Sequence, residues 1–204
     1  MIVPVLLICG ILSPAIYIGG DILAAGLYPG FSYTDQAVSE LFAIGAPTSA
    51  LVVTSFTISS TLLLFFALGV WRSARGRRSL RIVAVMFALS ALDALVLWNF
   101  FPMHMRGDAR TMTDTMHLVF AANPWVAVSL IAAAVAFRNW FRWYTIGTFV
   151  AILALALYGF SFAPAVAANG PTPWMGLAER LGQYTHGVWE MALAGVLLRE
   201  RRSP

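Results

Sequence analysis

The chain has 204 residues, 60% of them hydrophobic and 11% charged, with a mean hydropathy of +0.79, a balance that excludes an ordinary soluble domain. Its net charge of +4 is carried by Arg alone, since no Lys occurs, and the arginines cluster in short segments between apolar runs, a topological pattern that calls for no nucleic acid. Cys9 is the single cysteine, so an internal disulfide and a cysteine metal cluster are both excluded.

Apolar stretches of about 20 residues, each enough to cross about 30 Å of hydrocarbon, run near 3–26, 48–71, 82–101, 116–137, 144–163 and 176–198. They predict an all-α membrane protein, a six-transmembrane-helix bundle in a single domain over residues 1–204. The first run starts at Met1-Ile2-Val3-Pro4 with no basic n-region and no small-residue cleavage site, so it reads as a retained helix. Leu27-Tyr28-Pro29-Gly30 then breaks the chain. Ser32-Tyr33-Thr34-Asp35-Gln36 offers capping groups for a short amphipathic segment through Ile44, expected to lie at the outer interface, and Gly45-Ala46-Pro47 leads into the second span.

The fourth span opens with Asp114 and His117 on one face and continues into Asn123-Pro124, where the proline is expected to kink the helix and free a carbonyl near Phe120. Before the sixth span, Thr172 is placed as N-cap and Pro173 at the first helical position. Arg72, Arg75, Arg77, Arg78 and Arg81 follow span two, Arg138 and Arg142 follow span four, and Arg199, Arg201 and Arg202 follow span six. Only Arg106, Arg110 and Arg180 fall on the other side, which predicts that both termini are cytoplasmic. An Arg-only, Ala-rich composition fits a GC-rich bacterial genome, and the expected location is a bacterial inner (plasma) membrane, crossed several times.

In the sixth span Glu179, Gln183, His186 and Glu190 stand at i, i+4, i+7 and i+11, within an arc of roughly 60° on a helix. Counted at about 1.5 Å per residue from the outer ends, Asp21 lies roughly 8 Å deep, Asp93 about 12 Å, His186 about 15 Å and Glu190 about 20 Å. Ionisable groups from three helices at graded depths predict an outward-facing polar pocket rather than isolated packing contacts. Thr54, Thr57 and Thr61, on one face of span two, are read as helix packing.

Tyr28-Pro29-Gly30, Val38-Ser39-Glu40-Leu41 and Gly45-Ala46-Pro47, followed by Phe101-Pro102, Asp108 and His117, resemble the bacterial integral membrane family catalogued as domain of unknown function 998. Phe42 stands where that family usually has Gly, and Met103-His104-Met105 replaces a Cys/Asp-rich run. The resemblance implies six helices and no established activity, and it singles out Ser39, Glu40, Asp108 and His117.

The expected function is binding of, or action on, a lipid-like amphiphile. As a membrane-embedded hydrolase or transferase, the chain would use His186, Glu190, Asp93 and His117 as catalytic residues, with acid/base work by the i, i+4 pair His186/Glu190 and Asp93 orienting it. Asp21, Ser39, Glu40, Asp108, Asp114, Glu179 and Gln183 would bind the ligand. No cofactor is specified; a divalent metal such as Zn²⁺ could be held by His117, His186 and Glu190 with an open position for water, although no H-x-x-x-H or H-E-x-x-H occurs. A non-enzymatic lipid or small-molecule binder, a proton-linked carrier and an assembly partner in a membrane complex are the alternatives, and oligomeric state is left open. The bilayer itself is the one partner that composition requires.

Overall fold

The computed structural model describes residues 2–202; Met1, from which the first apolar run was counted, and the side chain of Arg202, counted in the C-terminal basic cluster, lie outside the described residues. Helices α1 (Ile2–Leu27), α2 (Ser49–Ser73) and α3 (Arg78–Leu92) follow the first three apolar runs. One wider turn, Asp93–Leu97, carries α3 on into the short α4 (Trp98–Phe100). The fourth run forms α5 (Met112–Ala121) and α6 (Pro124–Ala136), the fifth forms α7 (Trp140–Ser161) with the short α8 (Ala163–Ala167) behind it, and the sixth forms α9 (Met175–Arg202).

Five of these units, Ile2–Leu27, Ser49–Ser73, Arg78–Phe100, Met112–Ala136 and Trp140–Ala167, are long and apolar enough to cross a membrane. α9 has the length, at 28 residues, and is more polar because it carries the Glu179 to Glu190 stripe and a basic end. The architecture is a membrane helical bundle, and no strand occurs among the described residues. Helices suit this setting because they satisfy their own backbone polar groups where water is absent.

Packing follows chain order and then closes on itself. α1 packs on α2, α2 on α3, α3 on α6, α6 on α7, α7 on α9, and α9 returns to α1. α1 and α9 run antiparallel, since Asp21 meets Arg180, Tyr17 meets Gln183 and Pro14 meets Gly187 in reverse order along the two helices, so the start of α1 and the end of α9 lie at one end. The α1–α9 approach is close at the level of the polar stripe: a Cβ on Gly187 would stand 2.8 Å from Pro14. Near the terminal end the middle of the ring is solid, filled by Leu7, Phe66, Phe87, Leu130, Phe141, Trp189 and Leu193. Toward the far end a second apolar cluster of Ala24, Val38, Leu41, Phe42, Val52 and Phe56 packs between α1, α2 and the loop that joins them.

Three local expectations change. The segment after Pro29 is not a helix lying at the interface: turns through Ser32–Gln36 lead to a single 3-10 turn, Val38–Phe42, whose Val38, Glu40, Leu41 and Phe42 are buried. Glu40 closes that turn by accepting the Ala37 N–H at 2.9 Å and is itself ion-paired to Arg106 at 2.7 Å, which draws the segment into the mouth of the bundle. The fourth span is broken rather than kinked. Asn123 adopts a left-handed conformation at φ 36°, its N–H donates to the Phe120 carbonyl at 3.0 Å, and Pro124 opens a new helix.

Thr172 does not cap α9, which begins at Met175. Its hydroxyl donates to the Asp35 carbonyl at 2.7 Å and accepts from Arg106 at 3.0 Å. The capping role falls to the Asp35 carboxylate, which accepts the Trp174 N–H at 2.9 Å from a loop 139 residues away in sequence.

Candidate functional site

Beyond the solid terminal half, the helices line a cavity of about 390 Å³, a volume typical of small-molecule sites. The α9 stripe lines it throughout: Glu179, Gln183, His186 and Glu190 all face it. Tyr17 and Ser13 of α1 and Ser59 and Ser60 of α2 add hydroxyls, while Phe56, Leu63, Val126, Ile152 and Leu155 supply apolar wall. A helix period of 3.6 residues places the four α9 side chains in one column, and the antiparallel α1 sets Tyr17 and Ser13, one turn apart, beside it.

The upper part of the column is tied together. Glu179 accepts the Val38 N–H at 3.1 Å on one oxygen and the Gln183 amide at 3.2 Å on the other, and Gln183 in turn accepts from the Tyr17 hydroxyl. The lower part is tied only through Ser13, a side-chain hydrogen-bond partner of Glu190. His186 stacks on Trp189 with ring centroids 5.6 Å apart and meets Phe87 at 6.3 Å, and its Nε2 is buried with no hydrogen-bond partner. Glu190, 4% exposed, has one carboxyl oxygen in the same condition. A buried polar atom left without a partner costs about 1–3 kcal/mol, so the two unsatisfied groups mark the floor of the cavity as the place where an additional polar group would be stabilised.

His117 of α5 also lines the cavity. Its Nδ1 pairs with the Phe101 carbonyl at 2.9 Å, and the ring sits against Phe42 at 5.8 Å and Trp98 at 6.0 Å. Because a carbonyl only accepts, the neutral ring carries its proton on Nδ1 and leaves Nε2 as an acceptor. Ser39 lines the cavity with its hydroxyl against the Met103 sulfur at 3.6 Å, and Glu40, fixed by Arg106, stands beside it.

Four of the sequence-derived site residues are elsewhere. Asp21 does not line the cavity; it lies in a dry ion pair with Arg180, whose Nε is 3.0 Å from Oδ2, and accepts the Tyr184 hydroxyl as well. Asp93 is buried in the wide turn, where Trp125 is its side-chain hydrogen-bond partner, and it too is absent from the cavity wall. Asp114 is a cap: it accepts the Thr111 N–H and the His104 N–H, both at 2.8 Å, and meets the His104 ring at 3.0 Å. Asp108 is exposed on the connecting loop and lines only a smaller neighbouring pocket of about 210 Å³.

The metal set His117, His186 and Glu190 is not gathered. Among the described residues no three His, Cys, Asp or Glu side chains are grouped to hold a metal ion; His117 on α5 is turned to the Phe101 carbonyl, while His186 and Glu190 stand on α9.

Arg180 is the functional-looking residue that sequence reading passed over. Its side chain is 1% exposed, and it also donates to the carbonyls of Tyr33 and Gln36, both at 2.9 Å. The signal was available in part: Ser13, Tyr17 and Asp21 stand at i, i+4 and i+8 on α1, a second polar column.

No curated protein and no solved structure matches the chain. A family model described as protein of unknown function (DUF998) matches residues 11–196, from the middle of α1 into the last turns of α9. With a ring of helices, a polar column on its last member and a match running through all of them, the chain belongs to the DUF998 family of proteins of unknown function.

Proposed function

We propose that the chain resides in a bacterial inner membrane with both termini in the cytoplasm, and that its cavity, opening toward the outer side, takes the polar part of a lipid-like amphiphile. The concentration of arginine in the loops at the terminal end supports this orientation. The amphiphile is supported by the mixed wall: hydroxyls, an amide and carboxyls run down one side, and aliphatic and aromatic side chains form the other. Tyr17, Gln183, Glu179 and Ser39 are the binding residues in this reading.

The observation that carries the proposal is the pair of unpartnered buried atoms, His186 Nε2 and one Glu190 carboxyl oxygen, one turn apart on the cavity floor. In that arrangement a proton can pass between a bound polar group and either side chain, which suits acid/base hydrolysis or transfer. His117 Nε2 offers a further acceptor on α5.

The test compares wild type with Glu190→Gln and His186→Gln, each purified and extracted for mass spectrometry of co-purifying amphiphiles. The expected result is a stoichiometric amphiphile in wild type. An enzyme retains it in Glu190→Gln as unconverted substrate, and a non-enzymatic binder loses it from both variants. Wild-type protein that carries nothing beyond detergent, with both variants indistinguishable from it, overturns the proposal.

A further inference from the structure

The ring around the cavity is not closed along its full height. α6 packs on α7, but beyond the break at Asn123 α5 touches only α4 and the wide turn Asp93–Leu97 lightly and has no comparable packing on α7. α7 reports the same gap from the other side. Its buried residues, Phe141, Thr145 and Thr148, all belong to the terminal half, and from Phe149 to Ser161 none is buried.

Over that stretch Ile152, Leu155, Ala156 and Gly159 border the cavity and are half-buried, while most of the other side chains are exposed. The two edges of the gap are also cavity wall, with Leu118 and Ala121 on α5 and Gly159 and Phe160 on α7. Leu118 is 37% exposed and Phe160 49%. The cavity therefore communicates sideways through a slit that runs parallel to the helices, and in a membrane such a slit meets hydrocarbon.

Arg110 stands at the far end of the slit. It lines both the cavity and the smaller 210 Å³ pocket beside it, it is exposed, and it has no ion pair or hydrogen bond among the described residues. The other two arginines at this end are neutralised, Arg106 by Glu40 and Arg180 by Asp21. Asp108, two residues away, lines the smaller pocket and not the cavity. Arg110 is thus the arginine of this end without a carboxylate partner among the described residues.

We infer that the slit between α5 and α7 is a doorway through which an anionic phospholipid enters from the outer leaflet, with its phosphate at Arg110 and its acyl chains left in the bilayer beside the two helices. The linkage beneath the phosphate then faces the α9 column. This deepens the amphiphile reading and rests on it: a lateral entrance spares the lipid the cost of taking its chains through water.

The experiment uses the full chain in vesicles that contain diazirine-acyl phosphatidylglycerol or diazirine-acyl phosphatidylcholine, with illumination and mapping of adducts by peptide mass spectrometry. Adducts are expected at the slit and on the cavity wall, with labelling about 5-fold higher from phosphatidylglycerol, the ratio that one interfacial arginine confers on an anionic lipid. Arg110→Gln removes that ratio. Gly159→Trp, where a Cβ meets nothing within 4 Å, blocks the slit and lowers cavity labelling several-fold, and Ala121→Trp does so from the opposite edge if the first variant misfolds.

Unchanged cavity labelling in both tryptophan variants overturns the doorway while leaving the amphiphile reading intact. Equal labelling of wild type by the two lipids overturns the anionic headgroup. Adducts confined to outward positions such as Val150 and Leu157, with none in the cavity, overturn the amphiphile reading itself and the doorway with it.

Discussion

Arg180 and Asp21 face each other across α9 and α1 with Nε 3.0 Å from Oδ2 and with 1% and 0% of their side chains exposed. The guanidinium also spans the Tyr33 and Gln36 carbonyls and lies 4.1 Å from the centre of the Tyr33 ring, so one side chain joins the first and last long helices to the loop between α1 and α2. Removing one partner from a buried ion pair strands the other charge and costs about 3–5 kcal/mol. Arg180→Met is expected at the upper end of that range because it also strips two loop carbonyls of their donor, and Asp21→Asn below it. The double variant should cost less than the sum of the two. Thermal unfolding in detergent measures all three, and strict additivity would show that the pair is not coupled.

The contrast between this pair and the α9 column shows what was legible before any coordinates. Glu179, Gln183, His186 and Glu190 share one wall because a helix repeats every 3.6 residues, a local rule that needs no knowledge of neighbours. The helix positions were readable for a similar reason, since apolar length and arginine-rich loops are properties of contiguous segments. Asp21, expected in the pocket, lies instead in the ion pair with Arg180 and off the cavity wall. Its partner is a residue 159 positions away, and a depth counted along one helix does not say which way a side chain turns. Thr172 and Asp35 exchanged capping roles for the same reason: the hydroxyl found a loop carbonyl, and the carboxylate found the start of α9. The inferred slit has no local signature, because it depends on how little α5 and α7 pack on each other, which no stretch of sequence encodes.

Asn123 should tolerate Gly better than Ala. Its backbone sits at φ 36°, a conformation that disfavours a side chain by about 1–2 kcal/mol, and its amide exchanges hydrogen bonds with the Ser90 hydroxyl at 2.9 and 3.3 Å. Both substitutions lose Ser90, but only Gly relieves the backbone. Melting temperatures in the order Asn, Gly, Ala are expected, and Ala at or above Gly would refute the strain argument.

Asp35 supplies an acid-sensitive tie. The Trp174 N–H, with help from the Ser32 hydroxyl, holds its carboxyl below the ordinary aspartate range. A carboxyl whose folded value is depressed contributes stability above its unfolded value and loses it as the pH falls through the folded one. Wild type should therefore lose more stability than Asp35→Asn as the medium is taken below about pH 4, and at neutral pH the variant should be the less stable. Hydrogen exchange at Trp174 and Met175 reads the tie directly. Parallel acid profiles for the two proteins would mean that the bond does not hold the start of α9.

Trp189 is the wall behind His186, and two substitutions separate its polar from its steric contribution. Its Nε1 donates to the Thr145 hydroxyl at 2.9 Å, both residues are fully buried, and its ring is held between Phe87 at 5.9 Å and Phe141 at 6.2 Å while His186 stacks on it. Thr145→Val leaves the indole N–H unpartnered and should cost about 1–3 kcal/mol, yet the ring stays in place through its aromatic contacts. Amphiphile binding is then unchanged. Trp189→Leu costs more, about 3 kcal/mol or above, and also empties the space against which His186 rests, so binding should weaken with stability. The pair of measurements, unfolding and bound amphiphile per chain, distinguishes a positioning role from a general loss of fold. If Thr145→Val weakens binding as much as Trp189→Leu does, the imidazole is held by the bundle's overall integrity and not by the indole face.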